Sequence, residues 1–204
     1  MTFWLSVSHE TVYAPIADVA RLIRGLHDLA APTALELPRL CPFGPTSGPL
    51  PDFPGVPREY ESFLQGRIEW ARAEFDRLPF ELPPGVIHGD ANVGNVLVDD
   101  SGSPVMIDLD SFSTGPREWD LIQTALFADR LGWHTEDEYR TFVDVYGYDI
   151  RTWSGYPDLA DMREVAMTSW LSKKAAESES AAAEAVKRIA AIRDGGSRRD
   201  WGAY

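Results

Sequence analysis

Along the stretch PIADVARLIRGLHDL, Ile16, Val19, Ala20, Ile23 and Leu26 fall on one helical face, and Pro15 stands in the first turn, where its missing N–H costs little. The spacing predicts a helix over Pro15 to Leu29. The same period returns in PREYESFLQGRIEWARAEFDRL, where Tyr60, Phe63, Leu64, Ile68, Ala71, Phe75 and Leu78 predict a second helix behind Pro57. Between the two, residues 31 to 56 hold seven prolines and several glycines, a composition that excludes regular structure and predicts a long loop. After PFELPPG the pattern shortens: Gly85 to His88, Asn95 to Val98 and Val105 to Asp108 read as strands, the last two joined through Asp99, Asp100, Ser101 and Gly102 as a hairpin. Helical spacing then resumes in Trp119, Ile122 and Leu126, and again in Tyr139, Phe142, Val143 and Tyr146, with Thr135 as the N-cap of the later helix. A last helical region runs from about Leu159 to Arg193, loosens near Ser178 to Ser180 and becomes rich in alanine; the tail GGSRRDWGAY packs, if at all, through Trp201. The pattern as a whole predicts an α+β chain, mostly α, with a small β-hairpin in its middle.

Composition narrows the class. A chain of 204 residues that is 44% hydrophobic is expected to form one globular domain. Its 32 acidic and 19 basic residues give a net charge of -13, which argues against a nucleic-acid partner and suits a cationic ligand, although solubility alone also produces acidic surfaces. Cys41 is the single cysteine, so neither an intramolecular disulfide nor a cysteine zinc site is available, as expected in a reducing cytosol. No run approaches about 18 apolar residues and no charged leader precedes an apolar core, so the expectation is a cytoplasmic protein without a membrane partner.

The chemistry concentrates in VIHGDANVGNVLVDDSGSPVMIDLD, residues 86 to 110. His88, Asp90 and Asn95 have the spacing H-x-D-x-x-x-x-N of a kinase catalytic loop. Asp108 and Asp110 end the strand that the hairpin returns beside that loop. Phosphoryl transfer needs a carboxylate to orient the acceptor hydroxyl and take its proton, and an amide oxygen with a second carboxylate to hold Mg²⁺. Asp90 fits the first role, Asn95 and Asp108 the second. His88 reads as a hydrogen-bonded structural histidine, since Asp90 already fills the place of the base. Asp110 fits either a second metal or the solvated end of the hairpin. His9, His27 and His134 lack a partner at ligand spacing and read as structural or surface residues, and the scattered tryptophans as core.

HGDANVGNVL followed by MIDLDSFSTGPREWDL resembles the aminoglycoside phosphotransferase and choline kinase group, small-molecule relatives of the protein kinases, and LIRGLHDL and MTSWLSKKAAESESAAAEAVKRIAAIRDG carry the resemblance along the chain. It implies a protein-kinase-like C-terminal lobe acting as a single domain over residues 1–204. Its parts are a hinge-like lead-in at 1–14, the Pro-rich loop at 31–56, a catalytic and metal-binding core at 85–120 and a helical subdomain at 121–204. It further implies transfer of the ATP γ-phosphate to a small-molecule hydroxyl, with Asp90 catalytic, Asn95 and Asp108 on Mg²⁺, and His88, Asp110 and Asp120 in support. The group's glycine-rich phosphate cover and strand lysine have no counterpart here, because the lysines are Lys173, Lys174 and Lys187, all beyond the catalytic loop. The expectation is therefore a missing N-terminal β lobe, with an N-lobe partner or a dimer contact over the exposed top. Two further readings compete: a non-catalytic, pseudokinase-like binding module, and a dinuclear hydrolase site made of His88, Asp90, Asp108 and Asp110.

Overall fold

The computed structural model describes residues 7–204, and the first six residues of the hinge-like lead-in lie outside them. The described chain is mostly helical with two small antiparallel sheets. It divides into two compact units, one of residues 7–40, 80–128 and 134–153, the other of 41–79, 129–133 and 154–204.

In the first unit, α1 (Ile16–His27) begins directly after Pro15, which occupies the N-cap rather than the first turn. Val19, Ala20, Ile23 and His27 form its buried face. The sequence pattern put Leu26 there; the four-residue step from Ile23 selects His27 instead. This face packs on α4 (Glu136–Tyr146), whose buried Tyr139, Phe142 and Tyr146 repeat at the same spacing. Thr135 and Glu138 close a reciprocal capping box at the start of α4, and Gly147, at φ 94°, ends it in the left-handed conformation. Between α1 and α4 in the sequence, α3 (Glu118–Leu126) is buried along its entire length and runs on into a π turn over Phe127–Leu131.

The predicted hairpin is present as β2 (Val96–Val98) and β3 (Pro104–Met106), and the Asp99 carboxylate binds the N–H groups of Ser101 and Ser103 within its turn. Residues 12–14 add an edge to it, through bonds from the Ala14 N–H to the Val96 carbonyl at 2.9 Å and from the Val98 N–H to the Val12 carbonyl at 2.8 Å. A second ladder, absent from the sequence pattern, joins β1 (Gly85–Ile87) to β4 (Ser113–Gly115), and residues 38–40 line its edge at Thr114. The segment between β1 and β2 and the segment carrying Asp108 thus lie between two pairs of bonded strands, which fix both of their ends.

In the second unit, α2 (Arg58–Glu74) packs on α5 (Tyr156–Lys173) and α6 (Glu179–Asp194). The last helical region is accordingly two helices, with Ser178 capping the second through the Ala181 N–H at 3.3 Å. The Pro-rich loop contains no helix or strand over 41–56; Arg72 fastens it through the carbonyls of Phe43, Gly48 and Pro49. Trp201 is buried, with the Arg188 guanidinium 4.9 Å from its ring centre. Trp170 departs from the expected core role: it is 47% exposed and lies under the Lys174 ammonium.

Candidate functional site

The turn after β1 carries the sequence His88, Gly89, Asp90, and its three N–H groups and the carbonyls of Gly89 and Asp90 are all hydrogen bonded. Asp120, in the first turn of α3, is fully buried, and its carboxylate accepts from the N–H of His88 at 2.7 Å and from the N–H of Gly89 at 2.8 Å. Buried carboxylates are tolerated when such charge-assisted bonds and a helix N-terminus surround them. The Trp119 indole N–H donates to the carbonyl of Gly89 at 2.9 Å, so both polar groups of this glycine are held from α3. Gly89 has φ 86°, and a Cβ there would collide with the Ser111 carbonyl, so the position requires glycine on two counts.

Beyond Gly89 the loop curls around the carbonyl of Asp90. The side-chain amides of Asn92 and Asn95 donate to it at 3.0 and 2.9 Å, and the Asn95 amide also reaches the Asp90 carboxylate at 3.2 Å. Asn92 then accepts from the Gly94 N–H at 2.8 Å and starts the 3-10 turn that delivers Asn95 to β2. Both acceptors around the Asn95 amide nitrogen are oxygens, which fixes the orientation of that group and turns its oxygen away from Asp90.

Asp108 arrives from the other side. The Ile107 N–H donates to the Asn95 carbonyl at 2.9 Å, and Asp108 follows at φ 60° and ψ 61°, the one non-glycine with positive φ among the described residues. A non-glycine residue in this region carries a conformational cost that ordinary turns avoid, and such costs gather at functional positions. His88 ties the two arms: its Nε2 donates to the Ile107 carbonyl at 2.9 Å while its Nδ1 accepts from the Asp90 N–H at 3.2 Å. Asp110 lies in the exposed 3-10 turn Leu109–Ser111, outside this network. Asp90, Asn95, His88 and Asp120 are therefore joined by hydrogen bonds, Asp108 is joined to them through the backbone, and Asp110 is not joined.

The dinuclear hydrolase reading fails on this geometry. Both ring nitrogens of His88 are occupied, which leaves no lone pair for a metal, and no three of His, Cys, Asp and Glu group to hold an ion among the described residues. For Mg²⁺ the donor chemistry does fit: the amide oxygen of Asn95, whose nitrogen faces Asp90, and the carboxylate of exposed Asp108 are hard oxygen ligands, and Mg²⁺ completes its shell with water and phosphate.

Residues that the sequence pattern did not attach to the site extend it inward. His27 of α1, 1% exposed, lies with Nε2 3.0 Å from the Asp120 carboxylate and Nδ1 2.8 Å from the Tyr146 hydroxyl. Burial pushes the Tyr146 phenol well above its ordinary pKa, so it is a donor. The four-residue step after Ile23 is the signal that could have marked His27 as buried, where the pattern took Leu26; Trp119 was read only from its helical spacing, and Asn92 carried no signal beyond its place beside Asp90.

Comparison with known proteins gives concordant matches. A family model described as "Phosphotransferase enzyme family" matches residues 3–165. A probable ketoamine kinase of Lactiplantibacillus plantarum is 41% identical over 65 residues, 32% of this chain and 21% of that protein. Among solved structures, an amicoumacin kinase in complex with AMP-PNP, Ca²⁺ and Ami is similar with a TM-score of 0.64 and 12% identity, over 97% of this chain and 65% of that one. A choline kinase from Streptococcus pneumoniae gives 0.57 and 19%, over 91% and 69%. A spectinomycin phosphotransferase in complex with ADP and spectinomycin gives 0.53 and 16%, over 93% and 64%. At these identities the likeness is one of fold. The chain spans about a fifth of the curated relative and about two thirds of these solved chains. No described helix is long and apolar enough to cross a membrane.

Proposed function

We propose, from the premise that this chain belongs to the phosphotransferase enzyme family, that it forms the catalytic and metal-binding part of an ATP-dependent kinase acting on the hydroxyl group of a small molecule. The observation that carries this reading is the hydrogen-bonded pair of Asp90 and Asn95 on a loop braced by Asp120, with Asp108 tied to Asn95 through Ile107. In the proposed reaction Asp90 orients the acceptor hydroxyl and takes its proton. The hydroxyl oxygen bonds to the γ-phosphorus as the bond to the β–γ bridging oxygen breaks, and the nucleoside diphosphate leaves. Asn95 and Asp108 would hold Mg²⁺, which when bound neutralises phosphate charge. His88 and Asp120 hold the loop in register with the Asp108 arm. The phosphate cover and phosphate-pairing lysine that the reaction also needs are not among these residues, so the proposal requires them from outside this sequence, as an N-lobe in the same or another chain.

The acceptor class follows the relatives, whose names specify spectinomycin, choline, amicoumacin and ketoamines. The net charge of -13 favours a cationic member of such a set.

The test is transfer of label from γ-labelled ATP, with Mg²⁺, to a panel of hydroxylated amines, using the chain alone and joined to a glycine-rich lobe of a family member. The expected result is transfer that falls by about a hundredfold or more in Asp90→Asn while thermal stability stays close to wild type. Equal rates in the two proteins would overturn the assignment of Asp90. Nucleotide or acceptor binding without transfer in any format would favour the pseudokinase-like binding module.

A further inference from the structure

In a chain of net charge -13, one concave patch of the second unit runs against the trend. Arg130, Arg198 and Arg199 line a surface cavity of about 400 Å³, together with Asp161, Gly196 and Ser197. Arg130 stands in the π turn Phe127–Leu131, a rare backbone form that gathers at functional positions. Its Nη1 donates to the Asp161 carboxylate at 2.7 Å and to that of Glu164 at 3.0 Å. Arg198 also engages Glu164, with Nε 3.1 Å and Nη2 3.0 Å from the same carboxylate oxygen. Arg67 brings a second guanidinium to Asp161 at 3.5 Å. Each acid is therefore matched by two arginines, and Glu164, 1% exposed, holds Arg130 and Arg198 in fixed orientations.

Arg199 has no such partner. Its backbone N–H donates to the Ser197 hydroxyl at 3.1 Å, but its guanidinium makes no hydrogen bond or ion pair among the described residues. That guanidinium lies over Gly132, two positions after Arg130, where φ is 70° and a Cβ would collide with Nη1. The glycine lets the fork settle directly on the backbone. A guanidinium with five N–H donors, unpaired and beside two others already locked in place, is the arrangement that oxyanions select.

We propose that this cavity binds a small phosphate dianion, free or as a monoester, through the Arg199 fork, with Arg130 and Arg198 supplying fixed positive charge beside it. Counting Arg67, the network sets four guanidiniums against the two carboxylates of Asp161 and Glu164, so four minus two leaves a surplus of two positive charges, which a dianion matches. A monocarboxylate would match half of it. The rest of the chain's negative charge opposes any anion, but screening confines that opposition to about 10 Å at 0.1 M salt. The volume exceeds the needs of phosphate alone and admits a small ester group. None of these residues belongs to the network around Asp90, and the inference does not rest on the function proposed above.

The test is an NMR titration of the ¹⁵N-labelled full chain, read at the arginine Nε–H signals and at the backbone amides of residues 196–199. The probes are inorganic phosphate, glycerol 3-phosphate, acetate, and potassium chloride at matched ionic strength, at about pH 7, where phosphate is largely doubly charged. A saturable shift at Arg199 is expected with phosphate or its ester and not with chloride, and acetate should bind about tenfold more weakly or worse. Tighter binding of the ester assigns an organic phosphate, tighter binding of the free ion assigns inorganic phosphate, and either upholds the site. Arg199→Gln, which removes no bond within the chain, should keep the wild-type Tm and weaken binding about tenfold or more. Gly132→Asn, a residue tolerated at positive φ, should weaken binding too by displacing the guanidinium, and it decides the matter if Arg199→Gln does not fold. Shifts that chloride reproduces, or an affinity unchanged in Arg199→Gln, overturn the site. Acetate that binds as tightly as phosphate overturns the assignment of a dianion.

Discussion

At the scale of the residue, the site is a set of donors and acceptors whose needs are met almost entirely by backbone. Asp120 is the clearest case, a buried carboxylate that satisfies two loop N–H groups and an imidazole. Replacing it by alanine strands those donors away from water. Asp120→Ala is expected to lower stability by about 3 kcal/mol or more, measured by urea unfolding. Gly89→Ala forces a side chain into a positive-φ position and against the Ser111 carbonyl, and should cost about 2 kcal/mol or more in the same measurement. The spacing of His88, Asp90 and Asn95 was legible because a motif records chemistry that needs those residue types at that interval. The bond from His27 to Asp120 was not, because the partners of His27 stand 93 and 119 positions away, and helical spacing marks a buried position without naming what it meets.

At the scale of the element, periodicity carried the helices and turn chemistry carried the hairpin. The ends moved where caps decide them: Pro15 precedes α1, and Ser178 divides the last helical region in two. The β1–β4 ladder escaped because a three-residue strand has too little length to show alternation, and its partner is chosen by the fold. The capping box of α4 should be worth about 1 kcal/mol, read as the loss on Thr135→Ala. Just before α4, burial lowers the pKa of the His134 ring below the ordinary 6.5, with the Glu138 carboxylate opposing the shift. A histidine whose pKa is lower in the folded state takes up its proton more readily when unfolded. Its contribution is therefore complete above 6.5 and is lost as pH falls from 6.5 towards the depressed folded value. His134→Gln should flatten the decline of Tm between about pH 7 and pH 5 relative to wild type.

At the scale of the whole molecule, the family was legible because its signature is concentrated in one continuous stretch, and the match extends over residues 3–165. The acceptor was not legible, since the Pro-rich loop and the late helices carry no motif that names a ligand. The proposed function requires a convergence, in which Asp90, Asn95 and Asp108 would meet around a metal–nucleotide complex. The most direct measurement is paramagnetic broadening in the NMR spectrum of the ¹⁵N-labelled chain, titrated with Mn²⁺ in place of Mg²⁺ and in the presence of ATP. The account predicts selective loss of signals from Asp90, Asn95, Asp108 and their immediate neighbours, abolished in Asp108→Ala. Broadening scattered over the acidic surface, with no focus on these residues, would contradict it.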